Sequence, residues 1–219
     1  MNIPNALSIF RIILIPIFLY LIFIHGVEEK IWALVVFVVA SLTDLLDGWS
    51  ARKLGQVTSL GKFLDPMADK FLVISALIAF VILDPLIPVW MILIIIFRDI
   101  LLTVMRYLAI RRKSILKTTR IGKIKTAFQM ISIIIIIMVL IVRRSENFSV
   151  IQYESNDIMK ISKVFEIFNS GIRYKWLIIT PYCLMALVTI LTALSGLRYL
   201  ITNWHLFLPS KDKKETPKP

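Results

Sequence analysis

Four carboxylates lie close together in an otherwise apolar chain, within the stretch DLLDGWSARKLGQVTSLGKFLDPMAD. They are Asp44, Asp47, Asp65 and Asp69, and strongly apolar runs flank the stretch on both sides. A charge near apolar or membrane surroundings is costly unless it is paired, hydrated or bound to a cation. Four charges of one sign therefore predict a polycationic partner, and a pair of divalent metal ions meets that requirement.

The spacing of the aspartates indicates how they are arranged. Asp44 and Asp47 stand at i and i+3 near the end of a predicted helix, and Asp65 and Asp69 stand at i and i+4 at the start of the next. Each pair therefore projects from one helical face. Oxygen ligands suit Mg²⁺ or Mn²⁺, with Ca²⁺ as a competitor, and the stretch has no His or Cys of the kind that Zn²⁺ favours. The pattern predicts a hard-metal site between two helices.

Small residues accompany the second aspartate. Gly48 directly follows Asp47 and removes a side chain where a ligand must approach the helix backbone, and Ala51 keeps the same face shallow one turn later. We interpret this face as suited to a flat group. For any single aspartate, a solvated helix cap or a surface ion pair with Arg52, Lys62 or Lys70 is an equally good explanation. The combined spacing D-x2-D-G-x2-A-R-x8-G-x3-D-x3-D favours a site.

The elements that position these residues follow from composition. The chain has 219 residues, of which 58% are hydrophobic and 18% charged, and its mean hydropathy is +0.82. These values exclude a soluble globule and a disordered segment, and they indicate an integral membrane protein. We expect an all-α fold, a six-transmembrane-helix bundle with a cytoplasm-facing cavity. The apolar runs place its helices at about 6–24, 31–51, 67–84, 87–110, 124–142 and 176–202.

No linker or internal repeat divides the chain, so residues 1–219 are predicted to form a single domain. The single cysteine, Cys183, excludes an intramolecular disulfide, and its position in an apolar run predicts a core residue.

Orientation follows from the distribution of Lys and Arg, which give the chain a net charge of +12. Basic residues concentrate between predicted helices 2 and 3, between helices 4 and 5, and in a tail at about 209–219, while the turns at 25–30 and 84–88 hold one Lys. The positive-inside rule places both termini and the carboxylates in the cytoplasm.

The mixed-charge segment at about 143–175 is then an extracytoplasmic insertion, and helical spacing from Ile158 to Phe168 predicts an amphipathic helix within it. Because membrane topology accounts for the basic charge, we expect no nucleic-acid partner.

The motif resembles that of the CDP-alcohol phosphotransferase family at every defined position, which are Asp44, Asp47, Gly48, Ala51, Arg52, Gly61, Asp65 and Asp69. The segments MNIPNALSIFRIILIP, GKFLDPMADK, GKIKT and LSGLRYL are further similar to the bacterial phosphatidylglycerophosphate synthases of this family. The chain departs from them in its 143–175 insertion and at Arg98-Asp99, where such synthases usually carry Arg-Glu.

The resemblance implies a reaction and a set of roles. Enzymes of this family displace CMP from a CDP-linked lipid by an acceptor hydroxyl, with two divalent ions, Mg²⁺ or Mn²⁺, bridging the diphosphate. It implies that Asp44, Asp47 and Asp65 are metal ligands, and that Asp69 is the catalytic base and also contacts a metal. The implied CDP-donor site comprises Asp44, Gly48, Ala51, Arg52 and Gly61. A homodimer in a bacterial cytoplasmic membrane is implied as well.

Cationic residues near the ends of predicted helices 4 and 5 are candidates for binding a phosphorylated acceptor, namely Arg106, Lys123 and Lys125. Such residues form charge-assisted hydrogen bonds with phosphate, although topology and anionic lipid headgroups also account for them. Arg98 and Asp99 lie deeper in an apolar run. Either they neutralise each other, or Arg98 braces the carboxylates.

The resemblance predicts transfer of a phosphatidyl group from CDP-diacylglycerol to sn-glycerol 3-phosphate. Two alternatives within the family stay open: a cardiolipin synthase and a phosphatidylinositol-phosphate synthase. A divalent-cation transporter would place acids nearer the middle of the membrane and would not need Gly48, Ala51 and Arg52 at fixed offsets. A catalytically silent homologue is disfavoured because no motif position is lost.

Overall fold

The computed structural model describes residues 3–54, 59–111, 120–145 and 175–203. Within these ranges the chain is helical apart from short non-helical segments such as 24–26 and 84–88, and it contains no strand. Its helices are α1 (Ile3–Phe23), α2 (Val27–Leu54), α3 (Ser59–Leu83), α4 (Val89–Arg111), α5 (Arg120–Ser145) and α6 (Lys175–Thr202). Each of the six predicted apolar runs is therefore confirmed as a helix, and the predicted turn at 84–88 is also confirmed. The turn predicted at 25–30 is shorter, at 24–26, because α2 already begins at Val27. The amphipathic helix predicted at 158–168 lies outside the described residues.

The helices that carry the aspartates are longer than hydropathy predicts. The apolar run indicated a third helix from 67, whereas α3 begins at Ser59, and α2 continues to Leu54 instead of ending at 51. Hydropathy detects only the apolar part of a helix, while the backbone hydrogen bonds that define it continue through polar residues. As a result all four aspartates lie inside helices.

The core is formed by apolar side chains where the helices meet. The main contacts are those of α1 with α2 and α3, and those of α6 with α4 and α5. Phe18 of α1 and Phe37 of α2 are fully buried, and their ring centroids lie 5.6 Å apart at a tilt of 50°. Leu72 and Phe80 of α3 complete this part of the core. Many large apolar side chains are nevertheless exposed on the outer faces of the helices, and Cys183 is among the exposed residues. The prediction that Cys183 belongs to the core is wrong.

Two helical segments of the described chain are long and apolar enough to cross a membrane by length and composition, Lys125–Ser145 and Lys175–Thr202. Shorter apolar segments occur at Ile9–Phe23 and Lys70–Leu83.

A buried arginine fixes α5 against the start of α6. Pro181 has no N–H, so the carbonyl oxygen of Leu177 lacks the donor that an α-helix would otherwise supply four residues later. Arg143 Nε donates to that oxygen at 2.8 Å, and its Nη2 donates to the carbonyl oxygen of Ile178 at 3.0 Å. Its Nη1 forms an ion pair with Asp84 Oδ2 at 2.8 Å, and both side chains are buried. One guanidinium thus links the α3–α4 turn, α5 and α6.

Replacing Arg143 by Leu is expected to lower the free energy of unfolding by about 3–5 kcal/mol, because it breaks a buried ion pair. Pro181→Ala returns an N–H donor to the carbonyl of Leu177, so the same arginine substitution should cost about 1 kcal/mol less in that background. Denaturant unfolding in detergent micelles measures both. Arg144→Leu is the control, since Arg144 contacts only the exposed carbonyl of His25 among the contacts described. Equal costs in the two backgrounds would contradict the assigned role of Arg143.

Candidate active site

The backbone of α2 and α3 places the two aspartate pairs at matching depths. Residues 55–58 connect the helices, and Asp47 lies seven residues before the end of α2 while Asp65 lies six residues after the start of α3. At a rise of about 1.5 Å per residue these positions are roughly 10 Å and 9 Å from the connection. Asp44 and Asp69 are each ten residues from it, or roughly 15 Å. Helices joined by so short a connection run antiparallel, so the pairs occupy the same levels.

The remaining motif positions lie on the same two helices. Gly48, Ala51 and Arg52 belong to α2, and Gly61 belongs to α3. Side chains from 44 to 69 are outside the described set, so their contacts stay predictions. Among the side chains that are described, no group of three or more His, Cys, Asp or Glu residues is placed to bind a metal. The four aspartate positions lie in the adjoining parts of α2 and α3, and carboxylate oxygens are the ligands that the predicted ions prefer.

A polar cluster joins three further helices at the level of Lys70 in α3. Arg98 Nη1 and Lys125 Nζ both donate to Asp99 Oδ1, at 2.9 Å and 3.3 Å. Arg98 Nη2 donates to Ser195 Oγ at 3.1 Å. We call Arg98, Asp99, Lys125 and Ser195 the Asp99 cluster; it spans α4, α5 and α6. The prediction that Arg98 and Asp99 neutralise each other is confirmed.

The Asp99 cluster is connected to the helix that carries Asp69. Lys70, the next residue along α3, donates a hydrogen bond to Thr103 Oγ1. Thr103 Oγ1 in turn donates to the carbonyl oxygen of Asp99 at 2.8 Å. This chain of contacts places α4 beside the carboxylate-bearing end of α3. The structure therefore brings Lys125 to the same end of the bundle as the aspartates.

The three predicted acceptor residues are placed on helices, and one of them is described in full. Arg106 lies in α4 and Lys123 in α5, but their side chains are outside the described set. Lys125 has a side chain that is only 3% exposed, and its ammonium is paired with Asp99. The sequence indicated Lys125 only as a cation near a helix end, and the structure shows that this cation is buried.

Two small residues of α6 were not identified from the sequence. Ser195 accepts a hydrogen bond from Arg98. Gly196 leaves room for the side chain of Arg98, since a Cβ at Gly196 would lie 2.9 Å from Arg98 Cγ. The only signal for them was the segment LSGLRYL, whose resemblance carried no role for either residue. The separation of 97 residues between Arg98 and Ser195 explains why local patterns did not indicate this contact.

Comparison with known proteins gives concordant matches. The family model for CDP-alcohol phosphatidyltransferase matches residues 1–168. A CDP-diacylglycerol–glycerol-3-phosphate 3-phosphatidyltransferase of Bacillus subtilis is 40% identical over 144 residues, which cover 60% of this chain and 74% of the relative. Proteins of the same name from Wigglesworthia glossinidia brevipalpis and Rickettsia typhi are 37% identical over 138 residues and 39% identical over 140 residues. Those matches cover 61% and 63% of this chain and 75% and 76% of the relatives. Since the family model covers most of the chain, including the whole aspartate motif, the protein belongs to the CDP-alcohol phosphatidyltransferase family and is an enzyme of that class.

Proposed function

We propose that this enzyme transfers a phosphatidyl group from CDP-diacylglycerol to sn-glycerol 3-phosphate, forming phosphatidylglycerophosphate and releasing CMP. The observation that carries the proposal is the complete eight-position motif, distributed over α2 and α3 with its aspartate pairs at matching depths. The names of the relatives in B. subtilis, W. glossinidia and R. typhi support the same donor and acceptor.

In the proposed site Asp44, Asp47, Asp65 and Asp69 hold two divalent cations, Mg²⁺ or Mn²⁺. When bound, such ions polarise phosphoryl oxygens and neutralise the negative charge of the departing CMP. The hydroxyl oxygen of the acceptor forms a bond to the phosphatidyl phosphorus, and the bond from that phosphorus to the CMP oxygen breaks. Asp69 accepts the proton that leaves the hydroxyl.

The donor and acceptor occupy different parts of the site. Gly48, Ala51 and Arg52 of α2 and Gly61 of α3 line the CDP-diacylglycerol site, where glycine and alanine leave the helix surface open to the nucleotide.

Arg106, Lys123 and Lys125 supply positive charge for the phosphate of the acceptor. Support for Lys125 comes from its ion pair with Asp99, which keeps an ammonium at the carboxylate-bearing end of the bundle.

We further propose that residues 1–219 form one domain of six transmembrane helices, with both termini and the active site on the cytoplasmic side of a bacterial membrane. The basic residues in the adjoining ends of α2 and α3, which are Arg52, Lys53 and Lys62, and those between α4 and α5 support this orientation. The exposed apolar surface of the helices suits contact with lipid. We also propose that the protein forms a homodimer, as the family resemblance implies.

An assay of membranes that contain the protein tests the acceptor. Radiolabelled CDP-diacylglycerol is supplied with glycerol 3-phosphate, inositol phosphate, phosphatidylglycerol or serine in parallel, and the lipid products are separated. We expect phosphatidylglycerophosphate from glycerol 3-phosphate as the main product. Preferential use of phosphatidylglycerol would instead identify a cardiolipin synthase, and preferential use of inositol phosphate a phosphatidylinositol-phosphate synthase. Divalent-cation transport without any lipid product would overturn the assignment of function altogether.

A further inference from the structure

We propose that Asp99 is a positioning residue for acceptor binding, which acts by holding Lys125 at the carboxylate-bearing end of the bundle. The proposal rests on the function proposed above and assigns a role to a residue that does not belong to the aspartate motif. Its basis is the Asp99 cluster, in which one carboxylate oxygen accepts from both Arg98 and Lys125.

Burial makes the counterion necessary. The side chain of Lys125 is 3% exposed, so its ammonium has given up most of its hydration. An ammonium in such surroundings is stable only when it is paired or hydrogen-bonded. Asp99 supplies the negative charge at 3.3 Å, and its own side chain is 21% exposed. Removing that charge should weaken the hold on the ammonium of Lys125 and favour its movement toward solvent.

Asp99 is itself held in a defined place. Arg98 binds the same oxygen, Oδ1, at 2.9 Å and reaches Ser195 Oγ at 3.1 Å, so the carboxylate is anchored through the guanidinium to α6. Ser195 Oγ also donates to the carbonyl oxygen of Thr192 at 3.0 Å. Gly196 gives the stem of Arg98 the space that this arrangement needs. Asp99 therefore acts as a fixed anchor between a cation on α4 and a cation on α5.

The position of the cluster links it to catalysis. Thr103 Oγ1 donates to the Asp99 carbonyl oxygen and accepts from Lys70, the neighbour of Asp69 in sequence. The Asp99 cluster is thus connected to α3 at the level of the proposed base. In the proposed site the donor is held by α2, by the start of α3 and by metal ions, whereas Lys125 serves the acceptor phosphate. Displacing Lys125 should weaken acceptor binding and leave donor binding nearly unchanged.

Steady-state kinetics with both substrates test this inference on Asp99→Asn, Asp99→Glu, Lys125→Gln and the double variant Asp99→Asn/Lys125→Gln. We expect Asp99→Asn to raise the KM for glycerol 3-phosphate by about tenfold or more, with the donor KM within about twofold of wild type. Asp99→Glu keeps the charge and should recover part of the loss. The double variant should resemble Lys125→Gln alone, because Asp99 acts through that lysine.

The matched control is Asp84→Asn, since Asp84 also forms a buried ion pair with an arginine but lies in the α3–α4 turn at the opposite end of the helices. It should lower stability without changing the ratio of the two KM values. The inference is overturned if Asp99→Asn changes both KM values equally, changes only the amount of folded enzyme, or adds its full effect to that of Lys125→Gln.

A second readout does not depend on the acceptor. Lys125 should be acetylated by acetic anhydride faster in Asp99→Asn than in wild type or Asp84→Asn, as quantified by mass spectrometry of its peptide. Equal labelling would contradict the claim that Asp99 holds Lys125. A wild-type enzyme that does not use glycerol 3-phosphate would overturn the proposed function instead, and the labelling experiment would still decide whether Asp99 positions the lysine.

Discussion

Replacing Asp44, Asp47 or Asp65 by Asn should abolish turnover while leaving the protein folded. Each substitution removes one negative charge from the proposed two-metal site, and electrostatic stabilisation by a bound metal contributes several kcal/mol to catalysis. A loss of about 4 kcal/mol corresponds to roughly a thousandfold decrease in rate. Release of CMP from CDP-diacylglycerol at saturating substrate measures the effect, and gel filtration and circular dichroism check that the variants fold.

Glu28→Gln is a suitable control for these substitutions. Glu28 is exposed in the first turn of α2, so the change removes a carboxylate from the same helix at the end remote from the motif. It should leave the rate near that of wild type. Near-normal activity of any of the three aspartate variants at ordinary Mg²⁺ would show that the residue is not a metal ligand.

Gly48→Leu should prevent CDP-diacylglycerol from binding. A leucine at this position of α2 fills the space against the helix backbone that the proposal assigns to the nucleotide, and we expect the donor KM to rise by more than about tenfold, or about 1.4 kcal/mol. The substitution itself favours helix formation by about 1 kcal/mol, so a loss of binding cannot arise from a weakened helix. Direct binding of CDP-diacylglycerol to purified enzyme in micelles separates affinity from rate.

Trp49→Leu provides the comparison, because it changes the neighbouring residue, which points about 100° away around the helix axis. It should have a mild effect on donor affinity. Equal damage from both variants would indicate that this part of α2 is needed for helix packing and that Gly48 has no specific contact with the nucleotide.

Much of the fold was accessible from local patterns. The six helices and the two tight turns follow from apolar runs and from the polar residues between them, since a helix in apolar surroundings must satisfy its backbone hydrogen bonds within itself. The predicted end of α2 and the predicted start of α3 were misplaced, because a hydropathy pattern detects only the apolar part of a helix. The error mattered little for the site, as the i, i+3 and i, i+4 spacings of the aspartates keep their meaning in the longer helices.

Which side chains are interior was harder to predict. Cys183 was expected in the core and is exposed, because lipid-facing and core-facing positions of a membrane helix are equally apolar and hydropathy cannot separate them. Lys125 was recognised as a cation near the end of a helix, but its burial was not predicted, because the sequence around a lysine does not show a counterion 26 residues away.

The aspartate motif, its helices and the chemistry of hard metal ions are encoded in neighbouring residues, so they can be read along the chain without knowledge of how the helices pack. The partners of Arg143 and Asp99 are not encoded in this way. Arg143 binds carbonyl oxygens 34 and 35 residues away, and Arg98 connects Asp99 to a serine 97 residues away. Such contacts depend on the relative positions of whole helices, and those positions follow from the packing of many apolar side chains at once.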